Sequence, residues 1–455
     1  MTLYLFNTLG HKKEKFRPIS AKRAGLYTCG PTVYQYAHIG NLRTYIFADI
    51  LKKTLKLTGY RVKHVMNITD VGHLSSDDDT GDDKVEREAK RQRKTAWDVA
   101  RFYEKTFKKD LAKLNIAPPD IWARATGHID EQIVLIKKLE EKGFTYKITD
   151  GVYFDTSKFK NYGALLKSKP EDLEISERIA AKDKRHQEDF ALWKFSPKGE
   201  KRDMEWPSPW GKGFPGWHIE CSAMAMKYLG EHFDIHAGGI DHIPVHHTNE
   251  IAESEAATGK KFVNYWIHGN FLLVDKKRMG KSEGNFLTLD ELVGKGFKPL
   301  DYRYLVLTAH YRSSLLFSLE ALESARNARR NLLGIMARIN QTKRKADRKI
   351  IKNFKKEFAA ALANDLDTPG ALAVLWNYAE KLSGRELKWV DQVLSIGFKS
   401  AKPPKISAKL KMLLKKREDF RQKKDWPNAD KIREQIEKSG FTIKDSANGP
   451  ILFER

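Results

Sequence analysis

The chain has 455 residues, of which 41% are hydrophobic and 31% charged. No apolar run approaches the roughly 18 residues that a membrane-spanning helix needs, so the composition excludes a helical membrane protein. Cys29 and Cys221 are its only cysteines, which excludes a disulfide scaffold and predicts a cytoplasmic location. The net charge of +24 favours a polyanionic partner such as nucleic acid, the alternative being a generally basic proteome.

The first third of the chain alternates strand and helix patterns. Residues 24–29 form a short apolar run that ends at a Gly-Pro-Thr loop, which predicts a strand. Residues 41–57 place apolar side chains at helical spacing, and residues 61–68 indicate a second strand. Because a strand, a crossover helix and a strand form a parallel pair, we predict an α/β fold with a doubly wound parallel sheet of the Rossmann type.

The middle of the chain continues this pattern around an insertion, which we place at residues 120–205. The Pro118-Pro119 pair ends the helix that precedes it. We predict, in chain order, an acidic loop at 75–83, one long helix at 83–114, a helix near 129–142, a strand at 151–155, an ordered loop at 206–217 and a second β/α stretch at 217–275.

The last third is predicted to be helical and basic. Residues 321–340 carry an apolar face at helical spacing, and residues 341–352 and 401–405 are expected to be linkers. The tail, residues 401–455, holds 15 Lys and Arg against 8 Asp and Glu, a net charge of +7. Its aromatic residues stand among cations, a pattern that suits single-stranded RNA, although a helical bundle with a solvated basic face is the alternative.

A histidine-glycine motif, His38-Ile39-Gly40-Asn41, stands between the first strand and the first helix. Helix N-termini attract phosphate through free backbone N–H groups and the positive end of the dipole. His38 can donate a hydrogen bond to a phosphate oxygen, and Gly40 lets the backbone approach closely. The alternative is a loop histidine beside a turn glycine.

A glycine-flanked lysine, Lys281, occurs in the segment Arg-Met-Gly-Lys-Ser-Glu-Gly-Asn at 278–285. Such a segment can grip a polyphosphate from a mobile loop. It is not a P-loop, because that motif requires glycine where Asp275 stands. The alternative is a solvated basic turn.

Four residues form a candidate metal site: Cys29, Cys221, His246 and Glu250. His246 and Glu250 are four residues apart and share a helix face, and all four residue types are ligands that Zn²⁺ accepts. The distant cysteines exclude a local zinc finger. The alternative is two buried cysteines and a surface His–Glu pair, since further histidines crowd the same stretch: His232, His236, His242 and His247.

The order of these motifs resembles the cysteinyl-tRNA synthetases, a family of class I aminoacyl-tRNA synthetases. The resemblance rests on the runs Cys-Gly-Pro-Thr-Val-Tyr, His-Ile-Gly-Asn, Asn-Ile-Thr-Asp, Gly-Trp-His-Ile-Glu-Cys-Ser-Ala-Met, Ile-His-Ala-Gly-Gly-Ile-Asp, His-His-Thr-Asn-Glu and Arg-Met-Gly-Lys-Ser. It continues through the His-Tyr-Arg at 310–312, the Asn-Asp-Leu-Asp-Thr-Pro at 364–369 and the basic tail. Asn41 replaces the family's usual second histidine, and Arg278 and Gly280 differ from its Lys-Met-Ser-Lys-Ser loop.

The resemblance implies a reaction and its participants. Cysteine would react with ATP to form cysteinyl-adenylate and pyrophosphate, and the cysteinyl group would then pass to the 3′ end of tRNA(Cys). The implied cofactors are one Zn²⁺ per chain, which selects the thiol of L-cysteine over the serine hydroxyl, and Mg²⁺ with ATP. We expect a monomer with no membrane partner.

The resemblance also implies the role of each site residue. Catalytic roles fall to His38, Asn41 and Lys281, and the zinc ligands are Cys29, Cys221, His246 and Glu250. The residues expected to bind ATP are His38, Gly40, Gly238, Gly239, Asp241 and Lys281. The residues expected to contact cysteine are Thr69, Trp217 and His236.

The implied architecture is a Rossmann-type catalytic domain with an insertion, followed by an α-helical anticodon-binding bundle and a small C-terminal domain. We divide the chain into the first catalytic half (1–119), the connective insertion (120–205), the second catalytic half with the zinc site (206–270), the signature-loop and stem-contact region (271–320), the anticodon-stem-binding bundle (321–400) and the basic anticodon-recognition domain (401–455).

Two other functions fit parts of the pattern. A zinc-dependent cysteine ligase of the mycothiol-synthesis type would share the adenylate chemistry but use an amino-sugar acceptor and lack a full anticodon-binding end. A non-catalytic zinc-containing RNA-binding protein would be expected to lose a chemical group at the phosphate site, yet His38 and Lys281 are both present.

Overall fold

The structure is a computed structural model that describes residues 1–74, 81–166, 183–197, 199, 201–274, 277–278, 286–342, 345–400, 407–445 and 450–454. Its strands are β1 (Tyr4–Asn7), β2 (Lys12–Lys15), β3 (Arg23–Thr28), β4 (Arg61–Ile68), β5 (Ile121–Arg124), β6 (Thr145–Ile148), β7 (Gly151–Phe154), β8 (Phe190–Phe195), β9 (Gly213–Pro215), β10 (Phe233–Gly239), β11 (Val263–Gly269), β12 (Leu272–Val274), β13 (Lys277–Arg278), β14 (Leu315–Phe317), β15 (Phe441–Lys444) and β16 (Ile451–Glu454). Its α-helices are α1 (Ile39–Leu57), α2 (Lys84–Gln92), α3 (Ala96–Lys113), α4 (Ile129–Glu141), α5 (Trp217–Leu229), α6 (Thr248–Thr258), α7 (Leu289–Gly294), α8 (Pro299–Leu307), α9 (Leu319–Thr342), α10 (Arg348–Ala363), α11 (Thr368–Tyr378), α12 (Gly384–Val390), α13 (Ala408–Gln422) and α14 (Trp426–Lys438).

A five-stranded parallel sheet forms the centre of the molecule, with the strand order β11-β10-β3-β4-β5. The predicted β–α–β unit is present as β3, α1 and β4, which confirms the doubly wound parallel sheet. Strand β3 pairs with β4 on one side and with the much later β10 on the other. Such a reversal of strand order opens a crevice at the carboxyl ends of the two strands, where ligands of this fold class bind.

The predicted long helix at 83–114 is wrong, because the structure has two helices there. Arg93 ends α2 in the left-handed conformation, with φ at 54°. Thr95 then starts α3, its side chain accepting a hydrogen bond from the Asp98 amide. The Thr-x-x-Asp cap and the left-handed residue interrupt a pattern whose apolar spacing alone runs through both helices.

The insertion contains α4 and a second, antiparallel sheet with the order β6-β7-β8-β9. Its extent differs from the predicted 120–205. β5 pairs with β4 in the central sheet, so the insertion begins after Arg124. β9 pairs with β8, so the insertion sheet extends to Pro215, inside the run predicted to be a loop. This three-residue strand was not predicted, because Gly and Pro are uncommon inside strands.

The C-terminal third is helical, as predicted. Helix α10 begins at Arg348, with Asp347 capping its first amides, so the linker predicted at 341–352 is shorter than expected. Helices α13 and α14 and the β15–β16 hairpin share their own apolar cluster, formed by Leu410, Ile436, Ile443 and Leu452. Among the described helices, none combines the length and apolarity needed to cross a membrane.

Candidate active site and metal centre

An open cleft of about 930 Å³ lies at the carboxyl ends of β3 and β10. This volume is near the upper end of the roughly 300–1,000 Å³ of small-molecule pockets, so nucleotide and amino acid can occupy it together. The cleft brings together residues that the sequence separates by more than 200 positions. The predicted site residues that line it are Cys29, His38, Gly40, Asn41, Thr69, Trp217, Gly239, Asp241 and His246.

The His38 and Asn41 side chains close the N-terminus of α1 as a reciprocal capping box. Asn41 N donates to His38 Nδ1 at 3.1 Å, and His38 N donates to Asn41 Oδ1 at 3.2 Å. Because Nδ1 accepts a hydrogen bond, the ring proton of the neutral imidazole lies on Nε2. Burial lowers the pKa of His38 to about 4, so this ring is a neutral N–H donor beside the positive end of a helix dipole.

Four candidate metal ligands converge at the base of the cleft. Donor atoms of Cys29, Cys221, His246 and Glu250 all lie within 4.8 Å of one another, and all four residues are buried. Cys29 follows β3 and Cys221 lies in α5, while His246 and Glu250 occupy the turn before α6 and its first turn. The central sheet and the two helices therefore supply the cluster jointly.

The chemistry of this cluster fits a divalent cation. Burial raises the pKa of the Cys29 and Cys221 thiols and of the Glu250 carboxyl, and lowers that of His246. Their ligand forms include two thiolates and a carboxylate, which a positive ion would stabilise in this apolar setting. Glu250 Oε1 accepts no hydrogen bond within the described part of the chain, although His246 Nε2 is 3.2 Å away.

Three further histidines lie within hydrogen-bonding distance of members of the cluster. His218 Nδ1 lies 3.0 Å from His246 Nδ1, and His247 Nε2 lies 3.2 Å from Cys29 Sγ. His236, predicted to contact cysteine, is fully buried with its Nε2 2.9 Å from Glu250 Oε2. Cys29, His236, His247 and Glu250 thus form a second, overlapping group of potential ligands.

The sequence analysis did not name His218, and it left His247 among several neighbouring histidines without a role. Their positions carried a signal, because His218 precedes Cys221 by three residues on one helix face and His247 adjoins His246. Spacing alone could not tell which neighbouring histidine faces the cluster.

Trp217 is stacked between two imidazoles at the wall of the cleft. Its ring centroid lies 3.9 Å from that of His73, with 9° between the planes, and 4.3 Å from that of His246. Thr69, the other predicted cysteine contact, is buried, and its hydroxyl oxygen accepts from Asn67 Nδ2 at 3.0 Å. Trp217 therefore borders the cluster of candidate ligands, and Thr69 lines the same cleft.

His73 has a single consistent tautomer. Its Nε2 lies 2.5 Å from the Lys84 ammonium, which can only donate, so Nε2 is the acceptor. Burial lowers the pKa of His73 well below its usual value, so the neutral ring carries its proton on Nδ1 and donates to Thr32 Oγ1 at 2.5 Å. Sequence reasoning missed His73.

The glycines of the predicted adenosine turn end strand β10. A Cβ on Gly239 would lie 2.1 Å from Asp241 Oδ1, and one on Gly238 would lie 2.7 Å from His242 Nδ1. Neither position accepts a side chain without displacing these groups. Gly239 and Asp241 line the cleft, so the turn leaves room for a flat ligand beside a carboxylate.

Lys281 and Gly280 lie outside the described residues. The chain that leads into their segment is held in place just before β12. There the buried Arg43 guanidinium donates to the carbonyl of Asn270, at 3.0 Å, and to the carbonyl of Phe271. The same guanidinium reaches Ser313 O at 2.5 Å. Helix α1 therefore fixes the position of the chain before the predicted loop at 278–285.

Two family models match the chain. One is described as the tRNA synthetases class I (C) catalytic domain and matches residues 15–327. The other is described as the cysteinyl-tRNA ligase anticodon binding domain and matches residues 403–449.

Curated relatives match over the full length. Cysteine–tRNA ligase 1 of Burkholderia lata is 47% identical, with 100% of this chain and 97% of the relative covered. Cysteine–tRNA ligase of Treponema denticola is 46% identical, with 98% of each covered. Among solved structures, Mycobacterium tuberculosis methionyl-tRNA synthetase in complex with methionyl-adenylate matches with a TM-score of 0.58 at 15% identity, over 82% of this chain and 84% of that one. That similarity shows the fold alone.

Proposed function

This chain belongs to the cysteine–tRNA ligase family, and we propose that it joins L-cysteine to tRNA(Cys) in two steps, through cysteinyl-adenylate formed from ATP. The observation that carries this proposal is the buried cluster of Cys29, Cys221, His246 and Glu250, placed in the same cleft as the capped N-terminus of α1. A thiol-selective site and a phosphate-binding site thus share one crevice.

The first step places charge on the α-phosphate as the cysteine carboxylate attacks it. His38 supports this step, because its Nε2–H donates without carrying a charge of its own. The positive end of the α1 dipole adds a partial positive charge beside the ring. Asp241 accepts from the ribose hydroxyls, and Lys281 holds the departing pyrophosphate; both roles come from the family motifs.

The proposed cysteine pocket lies beside the cluster, with Trp217 in its wall. Cys29, Cys221, His246 and Glu250 would hold one Zn²⁺, with Thr69 and Trp217 beside it. Zinc supplies, when bound, a borderline-soft centre that favours a thiolate over the hydroxyl of serine. A pocket that selects by shape discriminates such pairs by only about 1–3 kcal/mol, so donor chemistry is the stronger basis for specificity.

The metal assignment has a direct test. Cys221→Ser replaces a thiolate with an alcohol, which is a poor zinc ligand at neutral pH. We expect about one zinc per chain in the parent and in Lys227→Ala, at an exposed position of the same helix, and less in Cys221→Ser. Full zinc in a folded Cys221→Ser protein would contradict the ligand set.

The remaining participants follow from the family. We propose Mg²⁺ as the companion of ATP and the cytoplasm as the compartment, the latter supported by two cysteines that form no disulfide. The mycothiol-type ligase is not favoured, because the anticodon binding domain model matches residues 403–449. The non-catalytic alternative is not favoured either, since the chain matches curated ligases along its whole length.

Aminoacylation with each amino acid in turn tests the proposal. With ATP and bacterial tRNA, only cysteine should become attached, and it should be attached to tRNA(Cys). Attachment of another amino acid, or of cysteine to an amino-sugar rather than to tRNA, would overturn the proposed function.

A further inference from the structure

Three aromatic side chains form a partly exposed cluster at the mouth of the cleft: Tyr36, Phe102 and Tyr103. We call it the aromatic ledge. Tyr36 is 44% exposed and Phe102 is 47% exposed, whereas Tyr103 is buried beneath them. Large apolar rings exposed side by side on a surface mark a site of interaction more often than rings exposed singly.

The three rings hold one another in place. Ring centroids are 6.2 Å apart between Tyr36 and Phe102, 5.2 Å between Tyr36 and Tyr103 and 5.1 Å between Phe102 and Tyr103, all edge to face. Gln92 Nε2 lies 3.0 Å from Tyr103 Oη, which anchors the buried ring at the end of α2. The ledge is therefore a preformed surface that needs little ordering on binding.

The ledge is continuous with the reaction site. Tyr36 and Tyr103 line the same cleft as His38, and Tyr36 stands two residues before it. Cationic side chains lie beside the aromatic ledge. Lys94 Nζ lies 5.7 Å from the Phe102 ring centroid, and Arg101 pairs with Asp98 of the same helix at 2.8 Å. A ligand that reaches the cleft from this side meets aromatic faces first and positive charge beside them.

We propose that the aromatic ledge stacks unpaired bases at the 3′ end of tRNA as that end enters the cleft. This proposal rests on the proposed function, because only the transfer step brings a polynucleotide end to the adenylate. Bases stack on aromatic side chains whatever their sequence, and neighbouring cations attract the phosphates between them. Exposed rings beside Lys94 offer both interactions.

The other substrates do not account for the ledge. The cysteine thiol belongs at the buried metal cluster, and the phosphates of ATP belong at His38 and the start of α1. Both sites are deeper in the cleft than the exposed rings. The ledge is also far smaller than the roughly 800 Å² per partner of a standard protein interface, so a strand end fits it better than a folded protein does.

Substitution of the exposed rings separates the two steps of the reaction. Phe102→Ala and Tyr36→Ala should leave cysteine-dependent ATP–pyrophosphate exchange unchanged and should lower kcat/KM for tRNA by roughly tenfold. Phe102→Tyr and Tyr36→Phe retain the rings and should behave as the parent. Phe102→Leu keeps an apolar side chain without an aromatic face and should behave like Phe102→Ala.

A binding probe assigns the effect to the strand end. A minihelix with the acceptor stem and 3′ end of tRNA(Cys) should bind the parent more tightly than one lacking its unpaired 3′ nucleotides. Phe102→Ala should abolish that difference while binding the truncated minihelix as the parent does.

Each other result has a definite meaning. If the alanine variants slow the exchange, the ledge serves ATP or the adenylate, and the proposal is wrong. If they keep the parental kcat/KM for tRNA, or Phe102→Ala retains the full minihelix difference, the ledge is only a surface cluster. If the parent protein itself shows no cysteine-dependent exchange, the proposed function is wrong, whatever the ledge variants do.

Discussion

His38 is held neutral by its surroundings, and this has a consequence for stability. Its folded pKa of about 4 lies below the roughly 6.5 of an unfolded histidine, with burial as the main cause. Between these values the unfolded chain binds a proton that folded His38 does not bind. The contribution of His38 to stability is therefore complete above pH 6.5 and is lost progressively as the pH falls toward 4.

His38→Gln should weaken this pH dependence. Its free energy of unfolding, measured by urea titration at several pH values, should fall less steeply between pH 6.5 and 5 than that of the parent. The difference in slope should be at most about 1.4 kcal/mol per pH unit. His186→Gln, at an exposed histidine, is the control and should keep the parental slope. A parental slope in His38→Gln would mean that folding does not lower the pKa of His38.

His73 should affect cysteine binding through Trp217 and Thr32. His73→Ala removes the stacking ring and the donor to Thr32 together, so the KM for cysteine should rise by about 10-fold or more while the KM for ATP stays near the parental value. His73→Phe keeps a stacking ring, and Lys84→Met leaves the ring without the ammonium that sets its tautomer; both should give smaller increases. Exchange kinetics with cysteine and ATP varied separately measure these changes, and equal changes in both KM values would contradict this role.

At the scale of elements, the start of α1 combines a structural cap with the phosphate site. Asn41 accepts a hydrogen bond from the backbone of His38, the role that Glu or Gln fills in a standard capping box. Asn41, which replaces the family's usual histidine, was predicted to contact phosphate in its place. The structure adds a second task, because the Asn41 carbonyl oxygen is engaged in the cap.

Two substitutions at Asn41 distinguish these tasks. Asn41→Ala should cost about 1 kcal/mol of stability through loss of the cap. Asn41→Asp keeps the acceptor and should stay near parental stability, but its negative charge should repel ATP phosphates and slow adenylate formation. Urea unfolding and single-turnover activation give the two readouts. An Asn41→Asp protein that activates cysteine at the parental rate would show that residue 41 only caps the helix.

Helices and strands were predicted correctly from the sequence where the local residue pattern and the tertiary packing favour the same structure. The apolar spacing of residues 41–57 predicted α1, and residues 61–68 coincide with β4. The break at Arg93 was not predicted, because a charged residue gives no local sign of a left-handed conformation. Strand β9 was missed for the opposite reason, since its Gly-Phe-Pro is held only by pairing with β8.

Only part of the candidate site was predicted from the sequence. The metal cluster was anticipated because it uses both cysteines of the chain together with a His–Glu pair at helical spacing. His73 and His218 were missed, because their roles depend on contacts with Trp217 and His246 that only the folded sheet creates. A side chain that acts through a neighbour leaves no spacing pattern in the sequence.

At the scale of the whole molecule, the C-terminal tail is separable from the chemistry. Every residue assigned to adenylate formation precedes position 285, and the tail has its own apolar cluster. Deletion of residues 401–455 should therefore leave cysteine-dependent exchange largely intact and weaken tRNA charging. Because the tail carries a net charge of +7, the tRNA affinity of the full chain should fall more steeply with salt than that of the truncated chain.

Charging and its salt dependence, measured side by side for both proteins, check this prediction. The truncated protein must first be shown to be folded and to retain zinc. Identical charging efficiency and salt dependence would mean that the tail does not bind tRNA, and the mycothiol-type alternative would then regain support.

We propose that this protein activates cysteine and selects it over serine through the buried cluster. ATP–pyrophosphate exchange with cysteine or serine as the only amino acid measures both parts at once. We predict rapid exchange with cysteine and a kcat/KM for serine lower by at least about a thousandfold, more than shape selection supplies. No cysteine-dependent exchange by the folded, zinc-containing protein, or exchange with serine at a similar rate, would contradict this proposal.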